Sequence, residues 1–241
     1  PVTPNQASQL AGISLSNSGL WFEQGGAVVQ SALRTAAMTH PRIRVISEAL
    51  VQIQTSKAGR WQLSTGRGTR LQAQSVILAT GAATRHWFPE LPVSPIRGQI
   101  TCFRSSGQSP ACAISGGGYA LPPINGLQAV GATFDRNDPD PTVRDDSHSE
   151  NLHNLRQWLP ELGNRYDFWD IEMGWTGFRG STPDHMPITG TLEGIHLIAG
   201  LGGKGLAYAP LLAQCLADSI TGTMPALDAG LLRRVAPQRF L

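Results

Sequence analysis

The residues of this chain best suited to chemistry lie in its last third, in two stretches punctuated by glycine. The first runs Gly174-Trp175-Thr176-Gly177-Phe178-Arg179-Gly180-Ser181-Thr182-Pro183-Asp184 and on to Gly190. The second is an apolar run, Ile195–Ala199, that stops in Gly200-Leu201-Gly202-Gly203-Lys204-Gly205. A helical pattern opens directly from it, from Leu206 to about Ile220. Glycines at such a turn let the backbone approach a ligand closely, and the N–H groups at a helix start favour an electron-rich partner. Four glycines in six positions exceed what one tight turn needs. Other chemistries find less support. His40, His86, His148, His153, His185 and His196 show no metal-ligand spacing, and no Ser-His-Asp grouping can be argued. Cys102, Cys112 and Cys215 are odd in number and lack CxxC spacing, which reads as reduced thiols in a cytosolic protein.

The elements that must position these stretches can be read from pattern. A helix is predicted from about Ala27 to Met38, ending before His40-Pro41. Three strands follow, near Ile43–Ser47, Ala49–Gln54 and Trp61–Ser64, the middle one alternating polar and apolar residues. Ser75–Ala79 is nearly all apolar, as expected of a parallel strand buried on both faces. From Ile96 to Phe134 the pattern becomes a meander of strands, with Asn125-Gly126 as a hairpin turn. Asp135–Asp146 reads as an exposed loop rich in aspartate and proline. Ser147-x-x-Glu150 has the form of a capping box, opening a helix with Leu152, Leu155, Trp158 and Leu159 on one face. Tyr166–Trp175 reads as the strand leading into the first stretch. The expected fold class is α/β with mixed α+β character. A partial nucleotide-binding layer over 1–92, with some strands of a second domain, gives way to an antiparallel domain over 93–176. The chain then returns to the first layer over 177–241.

Composition sets wide bounds. The chain has 241 residues, of which 15% are charged, with 27 glycines and 17 prolines, which suits a loop-rich α/β enzyme better than a helical bundle. A net charge of +2 is too small to demand a nucleic-acid partner and does not oppose one. With no charged-then-apolar leader and no long uncharged run, neither secretion nor membrane insertion is expected, and the expected location is cytoplasmic.

The order of the two stretches resembles the C-terminal signature of the FAD-dependent amine oxidases, which include D-amino acid, glycine and sarcosine oxidases. Val76-Ile77-Leu78-Ala79-Thr80-Gly81-Ala82 is similar to that family's strand ending under the flavin nucleotide. Arg97-Gly98-Gln99 and Gly117-Gly118-Tyr119-Ala120-Leu121-Pro122 match two further landmarks. Ala7-Ser8 to Gly12, Gly19-Leu20-Trp21-Phe22 and Gly25-Gly26 narrow the resemblance to one branch. That branch is the FAD-dependent half of the bifunctional enzymes that build 5-methylaminomethyl-2-thiouridine in tRNA. The resemblance covers nearly the whole chain but not the dinucleotide fingerprint: no GxGxxG turn followed by an acid is present, and Gly116-Gly117-Gly118 leads into a strand. The expectation is therefore a C-terminal portion of a longer protein, inactive alone, whose N-terminal part completes the flavin site.

The resemblance implies FAD as cofactor. Gly177 falls where sarcosine oxidases attach flavin through a cysteine, so the FAD is expected to be held non-covalently. Ala79, Thr80 and Gly81 would face the adenosine or ribityl part, Val51 the adenine, and Gly200, Gly202, Gly203, Gly205 and Leu206 the isoalloxazine. Lys204 would stabilise negative charge on the reduced ring. Arg179 would pair with a substrate carboxylate, a task suited to a planar guanidinium. Tyr119 resembles the tyrosine on the substrate side of the flavin, though an aromatic there serves equally as core of a half-buried sheet. Asp184 reads as ordering its own turn. The implied reaction oxidises a secondary amine. In the tRNA-modifying branch it clips the carboxymethyl group from a carboxymethylaminomethyl-uridine at the wobble position and releases glyoxylate. A free glycine, sarcosine or D-amino acid oxidase and a cofactor-free remnant of the fold are the alternatives.

Overall fold

The computed structural model describes residues 1–55 and 59–241. In chain order the elements are α1 (Pro4–Ala11), α2 (Gln30–Met38), β1 (Leu50–Thr55), β2 (Trp61–Thr65), β3 (Arg70–Ala73), β4 (Ile77–Leu78) and α3 (Thr84–Trp87). There follow β5 (Ser94–Arg104), β6 (Ile114–Ser115), β7 (Tyr119–Ala120), β8 (Leu127–Gly131), β9 (Asp135–Arg136), α4 (Asp145–Trp158) and α5 (Pro160–Gly163). The last third holds β10 (Ile171–Ser181), β11 (Ile188–Leu192), β12 (Ile195–Ala199), α6 (Gly205–Thr221) and α7 (Ala229–Val235). The chain divides into two compact units. The first comprises 1–37 and 97–177, the second 38–96 and 178–241.

The first unit is built on an antiparallel sheet in the order β10-β5-β8-β7-β6, with β9 also pairing β5. Asn125 and Gly126 both take positive φ, as a tight hairpin requires, and carry the chain from β7 to β8. The leucine stripe of α4 lies over this sheet: Leu152, Leu155 and Leu159 are buried with Phe103, Val130 and Tyr166. Phe103 and Tyr166 stack with ring centres 4.5 Å apart. The three-glycine run before β7 is explained by packing, because a Cβ on Gly116 or Gly117 would stand 2.9 or 3.1 Å from Trp158.

The polar core of this unit was hidden from sequence reading. Arg97 is fully buried and all five of its N–H groups are used, on the Asp140 and Thr142 carbonyls, Asp135 Oδ2, Ser147 Oγ and Gln99 Oε1, at 2.7–3.1 Å. The aspartate-rich segment is thus a clamp rather than a free loop, since Arg144 also bridges Asp138 and Asp140. The expected capping box does not form. Helix α4 starts two residues before Ser147, whose buried hydroxyl accepts from Arg97 instead.

Beside this cluster, buried His148 shares a hydrogen bond with Thr101 Oγ1 at 2.8 Å. Asn151 Nδ2 donates to the same hydroxyl at 3.1 Å, which ties the imidazole and the amide to one buried oxygen. Burial lowers the His148 pKa, and Asp145 only partly opposes this. The sign follows: below the ordinary value of 6.5 the unfolded chain binds a proton that the folded chain resists. Stability should therefore fall as pH drops from 7.5 toward 5.5, by at most about 1.4 kcal/mol per pH unit for one proton. Urea unfolding across that range checks this, and His148→Gln should flatten the slope.

The second unit carries two small sheets, β1-β2-β3 and β11-β12-β4, with a shared core of Val76, Leu78, Leu91, Ile188, Leu197 and neighbours. In the first of these, Ile53, Trp61, Leu63 and Ala73 face that core. Several expectations change here. Residues 43–47 form no strand, and Ile43 and Val45 are exposed. The third strand of the meander is Arg70–Ala73, too short and polar to be read as one. Strand β4 does run parallel to β12, with His196 opposite Ile77 and Leu197 opposite Leu78. It is buried on one face only, since Leu78 is enclosed while Ile77 is about half exposed. The predicted first helix shrinks to α2, none of whose residues is buried. Strand β10 begins later than expected, after a turn of 3-10 helix at Phe168–Asp170.

Candidate active site

The parallel pairing of β4 and β12 sets the geometry. Both strands end at the same edge of their sheet, β4 into Ala79-Thr80-Gly81 and β12 into Gly200–Gly205. Ligands of open α/β sheets sit outside the carboxyl ends of parallel strands, where loops diverge. The end of β10 joins these turns. Gly180 is buried, and a Cβ there would lie 3.0 Å from the Ala82 nitrogen and 3.1 Å from the Gly81 carbonyl carbon. The next residue, Ser181, bridges to Leu201. The chain just after Arg179 thus runs against both glycine turns.

Each turn uses glycine for a definite reason. Gly200 has φ +65°, and a Cβ would meet Thr182 Cγ2 at 2.7 Å, so only glycine fits. Gly81 (φ +58°) and Gly203 differ: nothing lies within 4 Å of where their Cβ would stand, leaving their outer sides open. Helix α6 then starts without a side-chain cap and without an acidic residue in its first turn. The orphan N–H groups of such a helix start are suited to an electron-rich group.

The Thr-Pro-Asp segment holds this region from beneath. Thr182 is buried and donates to the Met186 carbonyl at 2.7 Å, while Asp184 accepts from the Met186 N–H at 3.0 Å. Arg239 pairs with Asp184 at 2.9 Å and with its help holds that carboxyl at about 2, well below the ordinary 3.8. Asp184 is engaged in ordering its turn.

Among the expected site residues, the second unit brings together Ala79, Thr80, Gly81, Arg179, Gly200, Gly202, Gly203, Lys204, Gly205 and Leu206. Arg179 is half-buried; Ala79, Thr80, Gly81, Gly203, Lys204 and Leu206 are exposed. Val51 lies in the other sheet of the same unit, 57% exposed on β1. Tyr119 belongs to the first unit, half-buried on β7 and paired with Gly131 and Ser115. Gly180 and Thr182 stand in the first glycine-punctuated stretch, but the sequence gives neither a role, because their partners lie in distant turns.

These features fit a flavin. Two glycine turns follow the carboxyl ends of paired parallel strands, an uncapped helix start adjoins one of them, and Lys204 supplies a cation. The sequence profile described as FAD dependent oxidoreductase (DAO) matches residues 2–219.

The chain belongs to this family.

FAD is the family's cofactor. Among curated relatives, the tRNA 5-methylaminomethyl-2-thiouridine biosynthesis bifunctional protein MnmC of Marinobacter nauticus is 32% identical over 254 positions, covering 99% of this chain and 40% of the relative. Its counterpart in Idiomarina loihiensis is 33% identical, covering 98% and 40%. The chain thus spans about 40% of the length of these relatives. Solved structures share the fold. L-proline dehydrogenase from P. horikoshii superposes with a TM-score of 0.79 at 19% identity, covering 99% of this chain and 68% of that one. Glycine oxidase from Geobacillus kaustophilus gives 0.74 at 20% identity, covering 96% and 65%. These similarities also support the α/β flavoprotein class expected from sequence.

Proposed function

We propose that the protein carrying this chain oxidises the carboxymethylaminomethyl group of a wobble uridine in tRNA, leaving an aminomethyl-uridine and releasing glyoxylate. The observation that carries this reading is the similarity to tRNA-modifying relatives along 98–99% of the chain, with Arg179 running into the paired glycine turns. A free amino acid oxidase is the second reading, favoured by the fold shared with glycine oxidase.

In either case FAD, held non-covalently, would supply the hydride-accepting chemistry for oxidation at the carbon beside the substrate nitrogen. The chain's own residues do the positioning. Arg179 pairs its guanidinium fork with the carboxylate of the glycine-like tail, fixing the adjacent carbon. Gly203 keeps its outer side clear for the ring system, and Gly81 does the same for the adenosine or ribityl part. The α6 N-terminus and Lys204 place positive potential where charge accumulates on reduction. Positioning and electrostatics dominate such a reaction, which accords with the lack of an acid–base pair among the proposed site residues.

Mixing the intact, FAD-loaded protein anaerobically with tRNA bearing the modified uridine is expected to bleach the visible flavin band. Free glycine and sarcosine at equal concentration should bleach it far more slowly. The reverse order would favour the amino acid oxidase.

A further inference from the structure

The charge of this chain is unevenly distributed. No aspartate or glutamate occurs between Glu48 and Glu90, whereas Lys57, Arg60, Arg67, Arg70 and Arg85 all lie there. Without those five, the chain has 14 basic and 17 acidic residues, so its slight positive balance resides wholly in this stretch. Such local excess of one sign points to a polyanionic partner more specifically than net charge does.

The meander β1-β2-β3 turns this stretch into a surface. Its register sets Gln54, Gln62 and Gln72 side by side across the three strands, and sets Gln52, Ser64 and Arg70 in the neighbouring row. From the alternate rows, Thr55–Trp61–Ala73 and Ile53–Leu63–Leu71, the residues packed on the core are Ile53, Trp61, Leu63 and Ala73. The five glutamine and arginine side chains of the polar rows are exposed, and Ser64 donates to Gln52 Oε1 at 3.3 Å. With Leu63, Gly68 and Leu71 they line an open depression of about 620 Å³. Arg67 is exposed in the β2–β3 turn, and Arg60 is exposed just before β2. Glu48, at the margin, has its carboxyl bonded to Thr65 and held below the usual carboxylate range by that bond.

Polar rows of amides, a hydroxyl and a guanidinium, with the Glu48 carboxylate confined to the margin and bonded to Thr65, suit phosphodiester oxygens and ribose hydroxyls. Each amide offers two donors and an acceptor, and arginine adds charge. The face has no exposed aromatic on its polar rows, so it is made for backbone contact rather than base stacking. We infer that the outer face of β1-β2-β3, with Arg67 and Arg70, is a docking surface for the sugar-phosphate backbone of RNA. This rests on the proposed tRNA substrate and adds where the tRNA is held.

The test measures binding of an unmodified tRNA transcript to the intact, FAD-loaded protein over a range of salt concentrations. Removing one arginine that neutralises a phosphate should reduce the slope of log affinity against log salt by about one. Arg67→Ala with Arg70→Ala is expected to lower the slope by about two and weaken binding about tenfold or more at low salt. Gln54→Lys with Gln72→Lys should act in the opposite direction, steepening the slope and tightening binding, which a folding defect could not mimic. If the transcript binds and neither pair changes the slope, the docking face is wrong while the substrate reading stands. If the wild type shows no salt-dependent binding of the transcript at all, both fall.

Discussion

Arg179→Lys in the intact, FAD-loaded protein is expected to raise KM for the carboxylate-bearing substrate by about 30-fold or more while leaving flavin content unchanged. Lysine keeps the charge but loses the planar fork that meets both carboxylate oxygens. Disrupting a hydrogen-bonded charge pair typically costs about 2–5 kcal/mol, and each 1.4 kcal/mol is about tenfold. Arg179 sits one residue before the buried Gly180, which packs against the Gly81-Ala82 turn, so its backbone is fixed and cannot follow a shorter reach. An unchanged KM would show that Arg179 does not hold the carboxylate.

Two glycines of one turn should behave oppositely when substituted. Gly203→Leu meets open space and has no left-handed backbone to strain, so the fold should survive. The new side chain would fill the face proposed for the isoalloxazine. Overpacking costs about 1–3 kcal/mol, so FAD affinity should fall about 5- to 150-fold with little change in Tm. Gly200→Ala combines φ +65° with a 2.7 Å approach to Thr182 Cγ2. It should destabilise the second unit by about 1–3 kcal/mol from backbone strain alone, with the clash added. Flavin content read beside thermal melting separates the two effects. In the same assay, denaturing the wild type should release all its flavin. Equal FAD affinity in Gly203→Leu would remove that turn from the cofactor site.

Much of this was legible in sequence, for physical reasons that vary by segment. The Gly200–Gly205 turn announced itself because a strand, a glycine cluster and a helix occur in immediate succession. Helix α4 showed its leucine stripe because its packing partner is one continuous core. The Arg97 cluster did not show, since its partners lie up to 50 residues downstream and no local pattern links them. For the same reason Ser147-x-x-Glu150 misled: tertiary recruitment of Ser147 outweighed the local capping motif. The stretch 43–47 has strand-like composition yet stays exposed and irregular. Propensity without a pairing edge does not make a strand. Strand β3 illustrates the converse, with β2 imposing extended structure on four ordinary residues. Of the proposed site, the residue types were readable. The approach of Gly180 and Ser181 to the two turns was not, because it depends on where β10 ends.

Nucleoside analysis of tRNA decides the substrate. Transfer RNA carrying carboxymethylaminomethyl-uridine is incubated with the intact, FAD-loaded protein in air, digested, and its wobble nucleoside identified. The carboxymethylated nucleoside should disappear, replaced by the aminomethyl form with one glyoxylate released per tRNA. Persistence of the carboxymethylated nucleoside, while free glycine or sarcosine is oxidised in the same preparation, would contradict it.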